Sequence, residues 1–338
     1  MLTVVLGLAG ALVYGAADFL GGLAARRISA LRVTAIGALS GVVLLALGTL
    51  VVPGRWSFEA VLWGGLSGVT GAAAIALLYA CLAIGPMSIL SPLTAVTSAI
   101  VPLTWGLLTG SELGFIAYPA FAIALVAVVL VGLVPEQGAV RPTLRGLLMA
   151  LGSGTLIGAF YILIDLTPRD SGLVPLVVNR TVNGGIMIVV IVGLALFAAQ
   201  RHVRAVDART AVLDGTHGVP LGSAGGTGAG VAGAGVAGGT GAGVARSSVL
   251  AAAAAALRGG WQAGLWLAIG CGLLDATANI IVLVGLRLGD LEIVSVLTAL
   301  YPAGTILLAA VVLRERIGRL QWVGLALALA ASAMLAAA

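Results

Sequence analysis

Ten stretches of about twenty apolar or small residues fill this 338-residue chain, and they constrain its fold more than any motif does. A bilayer core roughly 30 Å thick is spanned by about 20 residues of helix. The stretches run near 2–24, 32–52, 60–83, 87–109, 114–134, 144–166, 173–199, 261–286, 291–313 and 319–337. They are long and continuous, unlike the roughly 10-residue alternating segments of a membrane barrel, so helices are predicted. Only 9% of the residues are charged, against roughly 25% in a soluble domain. A surface so poor in charge would not stay in water. The N-terminus is apolar from Leu2, with no basic region or small-residue cleavage site, and reads as a first transmembrane helix rather than a signal peptide.

The second half of the chain repeats the first. Gly85-Pro86-Met87-Ser88-Ile89-Leu90-Ser91-Pro92-Leu93-Thr94-Ala95 aligns with Gly289-Asp290-Leu291-Glu292-Ile293-Val294-Ser295-Val296-Leu297-Thr298-Ala299. Each stretch runs on through apolar residues to a lone glutamate, Glu112 or Glu315, and then to one more apolar segment. Five spans per copy is an odd number, so two copies of one fold must cross the bilayer in opposite directions. The expected fold class is an all-α integral membrane protein of ten transmembrane helices in two inverted five-helix repeats. Residues 1–136 form the first repeat. Residues 137–200 hold spans six and seven of the second, and 261–338 hold spans eight to ten.

Between them, residues 201–260 read as a linker. Residues 201–217 are polar and charged, and 218–245 are almost only Gly, Ala, Val and Thr. Such a stretch has little side chain to bury and high backbone entropy. The run from Ala251 to Ala256 favours the start of the next helix.

Every one of the 17 basic residues is an arginine, and most fall between spans, as topology determinants rather than a nucleic-acid patch. Arg26, Arg27, Arg32, Arg141, Arg145, Arg314, Arg316, Arg319 and five arginines of the central loop flank one side. Arg55, Arg169, Arg180 and Arg287 flank the other. The positive-inside rule then puts the first set in the cytoplasm and both termini outside a cell membrane.

Ionisable and amide groups within spans are costly, so each is a candidate for function. Asp275 lies near the middle of span eight with Asn279 four residues on, which puts both on one helix face. In the repeat alignment Gly71 opposes Asp275 and Ile75 opposes Asn279, so the fold itself does not need the polar pair. Asp18 stands in the second half of span one, four residues after Tyr14. Desolvation disfavours the anion of a buried aspartate, a property suited to proton coupling. Asn179, Arg180 and Asn183 lie near the start of span seven, and Asn183 is one turn deeper. Arg180 matches Arg32 of span two, and a paired arginine reads as a helix-end group that snorkels to the interface. Asp165, near the end of span six, is either a solvated end or part of a site. Tyr79, Trp63, Trp105, Trp266 and Tyr161 are pocket or interface aromatics. Pro302 is expected to interrupt span nine, and Pro92 and Pro102 to interrupt span four. Glu112 and Glu315 recur at span ends, as scaffold.

Cys81 and Cys271 lie within apolar segments, and no CxxC or Cys/His cluster exists, so neither a metal site nor a disulfide framework is expected. His202 and His217 fall in the polar central region. GxSxG, HExxH and GxxxxGK[ST] are absent, and no cofactor is implied. Gly64 and Gly68 make a GxxxG pattern, a weak signal for any particular dimer in so glycine-rich a chain. The sequence carries no signal of oligomeric state.

Two motifs resemble the EamA-type carriers of the drug/metabolite transporter superfamily. One is Tyr14-Gly15-Ala16-Ala17-Asp18-Phe19-Leu20-Gly21-Gly22-Leu23-Ala24-Ala25-Arg26-Arg27. The other runs from Tyr301-Pro302 through Arg314-Glu315-Arg316-Ile317 to Gln321-Trp322-Val323-Gly324. Pro102 stands three residues nearer its glutamate than Pro302 does, about one helical turn. The resemblance covers all but the central linker, whose Gly/Ala insertion departs from the family's compact pattern. It implies a secondary transporter of a small metabolite or drug-like solute, an exporter acting by alternating access. Both termini should share one side; related carriers put that side in the cytoplasm, opposite to the arginine count, and the count is kept. The expected partners are a small-molecule substrate, a coupled proton and the lipid bilayer. By alignment the cavity should be lined by spans one, three, four, six, eight and nine. Asp275 and Asn279 would contact the solute, with Asp18 as a proton carrier or second contact and Tyr14, Asn183 and Tyr79 nearby. A non-transporting membrane scaffold or receptor is the alternative, and it predicts dry packing around Asp275.

Overall fold

Apolar runs that cannot leave backbone groups unpaired in lipid must close their hydrogen bonds within themselves, and helices do so. The computed structural model describes residues 1–84, 87–111, 113–132, 142–216, 264–314 and 317–337. Among them no strand occurs. The helices are α1 (Leu2–Ala25), α2 (Ala30–Val51), α3 (Phe58–Ile84), α4 (Met87–Thr109), α5 (Ala117–Gly132) and α6 (Leu144–Asp165). A 3-10 turn at Arg169–Ser171 leads into α7 (Val174–Thr216). Then follow α8 (Leu265–Leu288), α9 (Leu291–Thr298), α10 (Tyr301–Val312) and α11 (Arg319–Ala337).

Ten apolar segments thus stand where ten spans are expected. Nine of them, among the described residues, have the length and hydropathy to cross a membrane. The remaining one, α5, has 16 residues and would reach about 24 Å. The protein is a multi-pass membrane protein. Two compact units divide the chain, Met1–Met187 with Gln262–Ala338, and Ile188–Trp261. The described part of the second unit is the continuation of α7 to Thr216. Residues 201–216, assigned to a linker by composition, are therefore helical; their Ala and Arg content favours helix even where no apolar face demands it. Residues 217–263, which include most of the expected linker, lie outside the described residues, as do Glu112, Glu315 and the side chain of Tyr79.

Within the first unit α1 packs along α8 and α10, α3 and α4 along α6, α2 along α8, and α5 along α11. Small residues bring backbones together. Gly64 and Gly68 of α3 lie against Pro175 and Asn179 of α7, so the GxxxG pattern serves contacts inside the chain. A Cβ on Gly15 would stand 2.6 Å from the Thr305 nitrogen, which leaves glycine as the residue that lets α1 meet α10 there. Hydroxyls donate across the same seams: Ser153 to the Ala74 carbonyl at 2.8 Å, Thr94 to that of Ala150 at 3.2 Å, and Thr305 to that of Gly15 at 3.2 Å. Apolar clusters fill the remaining space, one around Ala99, Phe121, Val128 and Leu297, another around Leu45, Ile164, Leu283 and Val294.

The prolines behave differently from one another. The ninth span is broken between Thr298 and Tyr301, and Pro302 stands in the first turn of the new helix, where its missing N–H costs nothing. Pro92 and Pro102, by contrast, sit inside a continuous α4. Each ring packs at a glycine of a neighbouring helix, Pro92 at Gly132 and Pro102 at Gly158. Gly132 makes room for the Pro92 ring and Gly158 for Val101 with the Pro102 ring, and neighbouring helices support a proline in a membrane span without a break.

Candidate functional site

A cavity of about 200 Å³ lies inside the first unit. Four aromatic side chains face it: Tyr14 from α1, Phe160 and Tyr161 from α6, and Tyr301 from the start of α10. Phe160 and Tyr161 meet edge to face, with centroids 5.3 Å apart. The polar side chains come from three helices: Asp18 from α1, Asn179, Arg180 and Asn183 from α7, and Asp275 and Asn279 from α8. Gly71, Ala74, Ile75 and Leu78 of α3, with Ile157 of α6, complete the wall. Gly71 and Ile75, the alignment partners of Asp275 and Asn279, thus face the same space as the polar pair.

Arg180 and Asp275 form an ion pair across this cavity, joining α7 to α8. Their side chains are 13% and 29% exposed, so the pair is only partly screened by solvent. This corrects the reading of Arg180 as a snorkelling helix-end residue. Its repeat partner Arg32 suggested a common role at helix ends, but Arg180 turns inward because Asp275 offers a counter-charge there. The alignment gave span three no carboxylate opposite Asp275, so the pair has no symmetric copy in the first half.

The asparagines differ in what they leave free. Asn279 donates Nδ2 to the Asp275 backbone carbonyl one turn back, at 2.7 Å. Asn179 donates Nδ2 to the Ser67 hydroxyl at 2.8 Å, and Ser67 donates to the Gly64 carbonyl at 2.7 Å. That chain ties α7 to α3 and fixes the wall. Asn183 is 3% exposed, yet its Oδ1 has no hydrogen-bond partner among the described residues. Asp18, an exposed side chain of α1, lines the same cavity.

The expected wall is therefore altered in one helix. Among the described residues no side chain of α4 lines the cavity, while three of α7 do. Packing explains the exchange: α4 is drawn against α6 and α5 through its proline–glycine contacts. The polar start of α7 takes its place. Of the aromatics read from the sequence, Tyr161 lines the cavity, and Trp266 and Trp105 are exposed.

One charged group was given no role from the sequence. Glu292 is 2% exposed in the first turn of α9, with one carboxylate oxygen unpartnered among the described residues. Its carboxylate occupies the notch left by the missing side chain of Gly106 on α4. The signal available in the sequence was its register, opposite Ser88 in the repeat. Asp165 stands apart, exposed at the end of α6, where with Thr167, Arg169 and Arg287 it borders a smaller pocket of about 110 Å³. Arg287 there donates to the Ser171 hydroxyl at 3.1 Å.

No curated protein matches the sequence. A solved structure titled only as the crystal structure of a protein shares the fold, with a TM-score of 0.57. It is 14% identical, and the match covers 99% of this chain and 98% of that one. Residues 240–337 match the EamA-like transporter family. Over those residues, which include the Tyr301–Gly324 motif, the chain is similar to this family of membrane transporters in the drug/metabolite transporter superfamily.

Proposed function

We propose that the protein is a secondary transporter that carries a small solute, outward from the cell, by alternating access around the cavity at Arg180 and Asp275. The observation that carries this reading is the cavity itself: an ion pair, a second carboxylate and an unpartnered amide oxygen around open space in an otherwise apolar bundle. Buried polar groups in a span are expensive, and a solute that pairs with them gives the expense a use. The scaffold alternative requires dry packing at Asp275, and the open space there favours transport.

The packing supports an inverted repeat. Exchanging α1 with α6, α2 with α7, α3 with α8, α4 with α9 and α10, and α5 with α11 converts the α1–α8 seam into the α6–α3 seam. The same exchange converts the α4–α6 seam into the packing of α9 and α10 on α1. The odd number of spans makes the copies antiparallel, and rocking one against the other would open the cavity to each face in turn. The broken span at Thr298–Tyr301 borders the cavity through Tyr301, a suitable place for the chain to bend. In this reading Asp275 and Asn279 are polar contacts for the solute. Asp18 is a second contact or carries the coupled proton, and the arginine-poor side that includes both termini is extracytoplasmic.

The test is flux from proteoliposomes, using solutes that differ in abundance between cells with and without the protein. Asp275→Asn should insert normally and lose at least tenfold in flux. Wild-type flux from that variant would remove the proposal.

A further inference from the structure

We propose that the cavity selects a small organic cation with N–H donors, such as a single-ring primary amine, over anions and neutral analogues; this rests on the cavity being the solute site. Three observations converge. The first is charge. The ionisable pairings leave one guanidinium against two carboxylates: Arg180 is engaged with Asp275, and Asp18 has neither an ion-pair nor a hydrogen-bond partner among the described residues. A solute entering the space therefore meets an uncompensated carboxylate. That carboxylate, on an exposed side chain lining the cavity, attracts a cation and repels an anion.

The second is hydrogen-bond sense. A carboxylate that is ionised only accepts, and the unpartnered atom of Asn183 is its acceptor oxygen, on a residue 3% exposed. Meanwhile Asn179 and Asn279 each give one amide N–H away from the solute, to Ser67 and to the α8 backbone. An ammonium group supplies donors to both waiting acceptors. An anion supplies none, and would compete with Asp275 for Arg180.

The third is the wall. Tyr14, Phe160, Tyr161 and Tyr301 line the same cavity as the carboxylate, and aromatic faces attract a cation. At about 200 Å³ the space is smaller than drug-sized sites usually are, which suits one ring rather than a fused system.

The test uses a matched series on one frame: 2-phenylethylamine as cation, 2-phenylethanol as neutral, 3-phenylpropionate as anion and phenylalanine as zwitterion. Binding is measured by calorimetry on the full-length protein in nanodiscs, and flux from proteoliposomes in parallel. The amine should bind at least about tenfold tighter than the other three. Asp18→Asn should weaken it about tenfold or more, as expected when a charged hydrogen bond is lost, and Asp18→Glu should retain the preference for the cation. Absence of amine binding, equal or tighter binding of the anion or zwitterion, or unchanged amine affinity in a folded Asp18→Asn variant would each overturn the proposal. A shift in the pH dependence of flux in Asp18→Asn, with amine affinity intact, would overturn it too, because the carboxylate would then serve protons alone. Flux of the anion without the amine would refute cation selection and leave transport standing. Amine binding without flux of any of the four would refute transport and leave cation selection standing.

Discussion

Arg180 and Asp275 neutralise one another across the central cavity, from helices that sequence comparison gave different roles. Removing one member leaves the other charged in a poorly solvated place, at a cost of about 1–3 kcal/mol for a pair with this much access to the cavity. Arg180→Gln and Asp275→Asn should each lower the thermal unfolding temperature in detergent, and the double variant should recover most of the loss. Flux should be lost in all three. Additive destabilisation in the double variant would show that the two residues do not act as a pair.

The notch at Gly106 holds the Glu292 carboxylate, so a methyl group there must displace it. Gly106→Ala should cost about 1–3 kcal/mol, the usual range for overpacking. Gly22 in α1 has nothing within 4 Å of a built Cβ, and Gly22→Ala should be tolerated. Glu292→Gln, which keeps the shape, should leave stability nearly unchanged. Unfolding temperatures of the three variants decide whether the notch is sterically exclusive.

The loop before α3 and the loop before α7 touch through Gly54 and the Ser171–Gly172 backbone. Gly172 has φ +54, a conformation that a side chain strains, and a Cβ there would meet the Gly54 Cα at 2.7 Å. The nearby ion pair of Arg55 and Asp170, at 3.2 Å, is largely exposed, and exposed pairs contribute little. Gly172→Ala should therefore destabilise by about 1–3 kcal/mol, while Arg55→Ala should fall within error of wild type. A reversed order would mean that charge rather than backbone approach holds these loops.

Much of the fold was legible because lipid leaves few choices: the length of each apolar run predicted a helix, and a helix formed. The cavity was legible in part. Asp18, Tyr14, Asn183, Asp275 and Asn279 all face it, because a polar residue in a span needs either a partner or a cavity. Arg180 was misread because position near a helix start does not reveal which way a long side chain turns. That depended on a counter-charge nearly a hundred residues away. Pro102 and Pro302 read alike in the sequence, yet one is absorbed and the other begins a new helix. Pro102 and its neighbour Val101 pack at Gly158 on a neighbouring helix, a contact that no local pattern around Pro102 discloses. Glu292 carried no signal beyond its place in the repeat, and only the packing of α4 shows that its carboxylate fills the notch at Gly106.

Access to the cavity from both membrane faces tests alternating access most directly. Ile75 lines the cavity without a polar role of its own. With Cys81 and Cys271 replaced by alanine, Ile75→Cys would be treated with a membrane-impermeant thiosulfonate in right-side-out and in inside-out vesicles. Alternating access predicts labelling from each face in separate reactions. Labelling confined to one face, or absent from both, would contradict it.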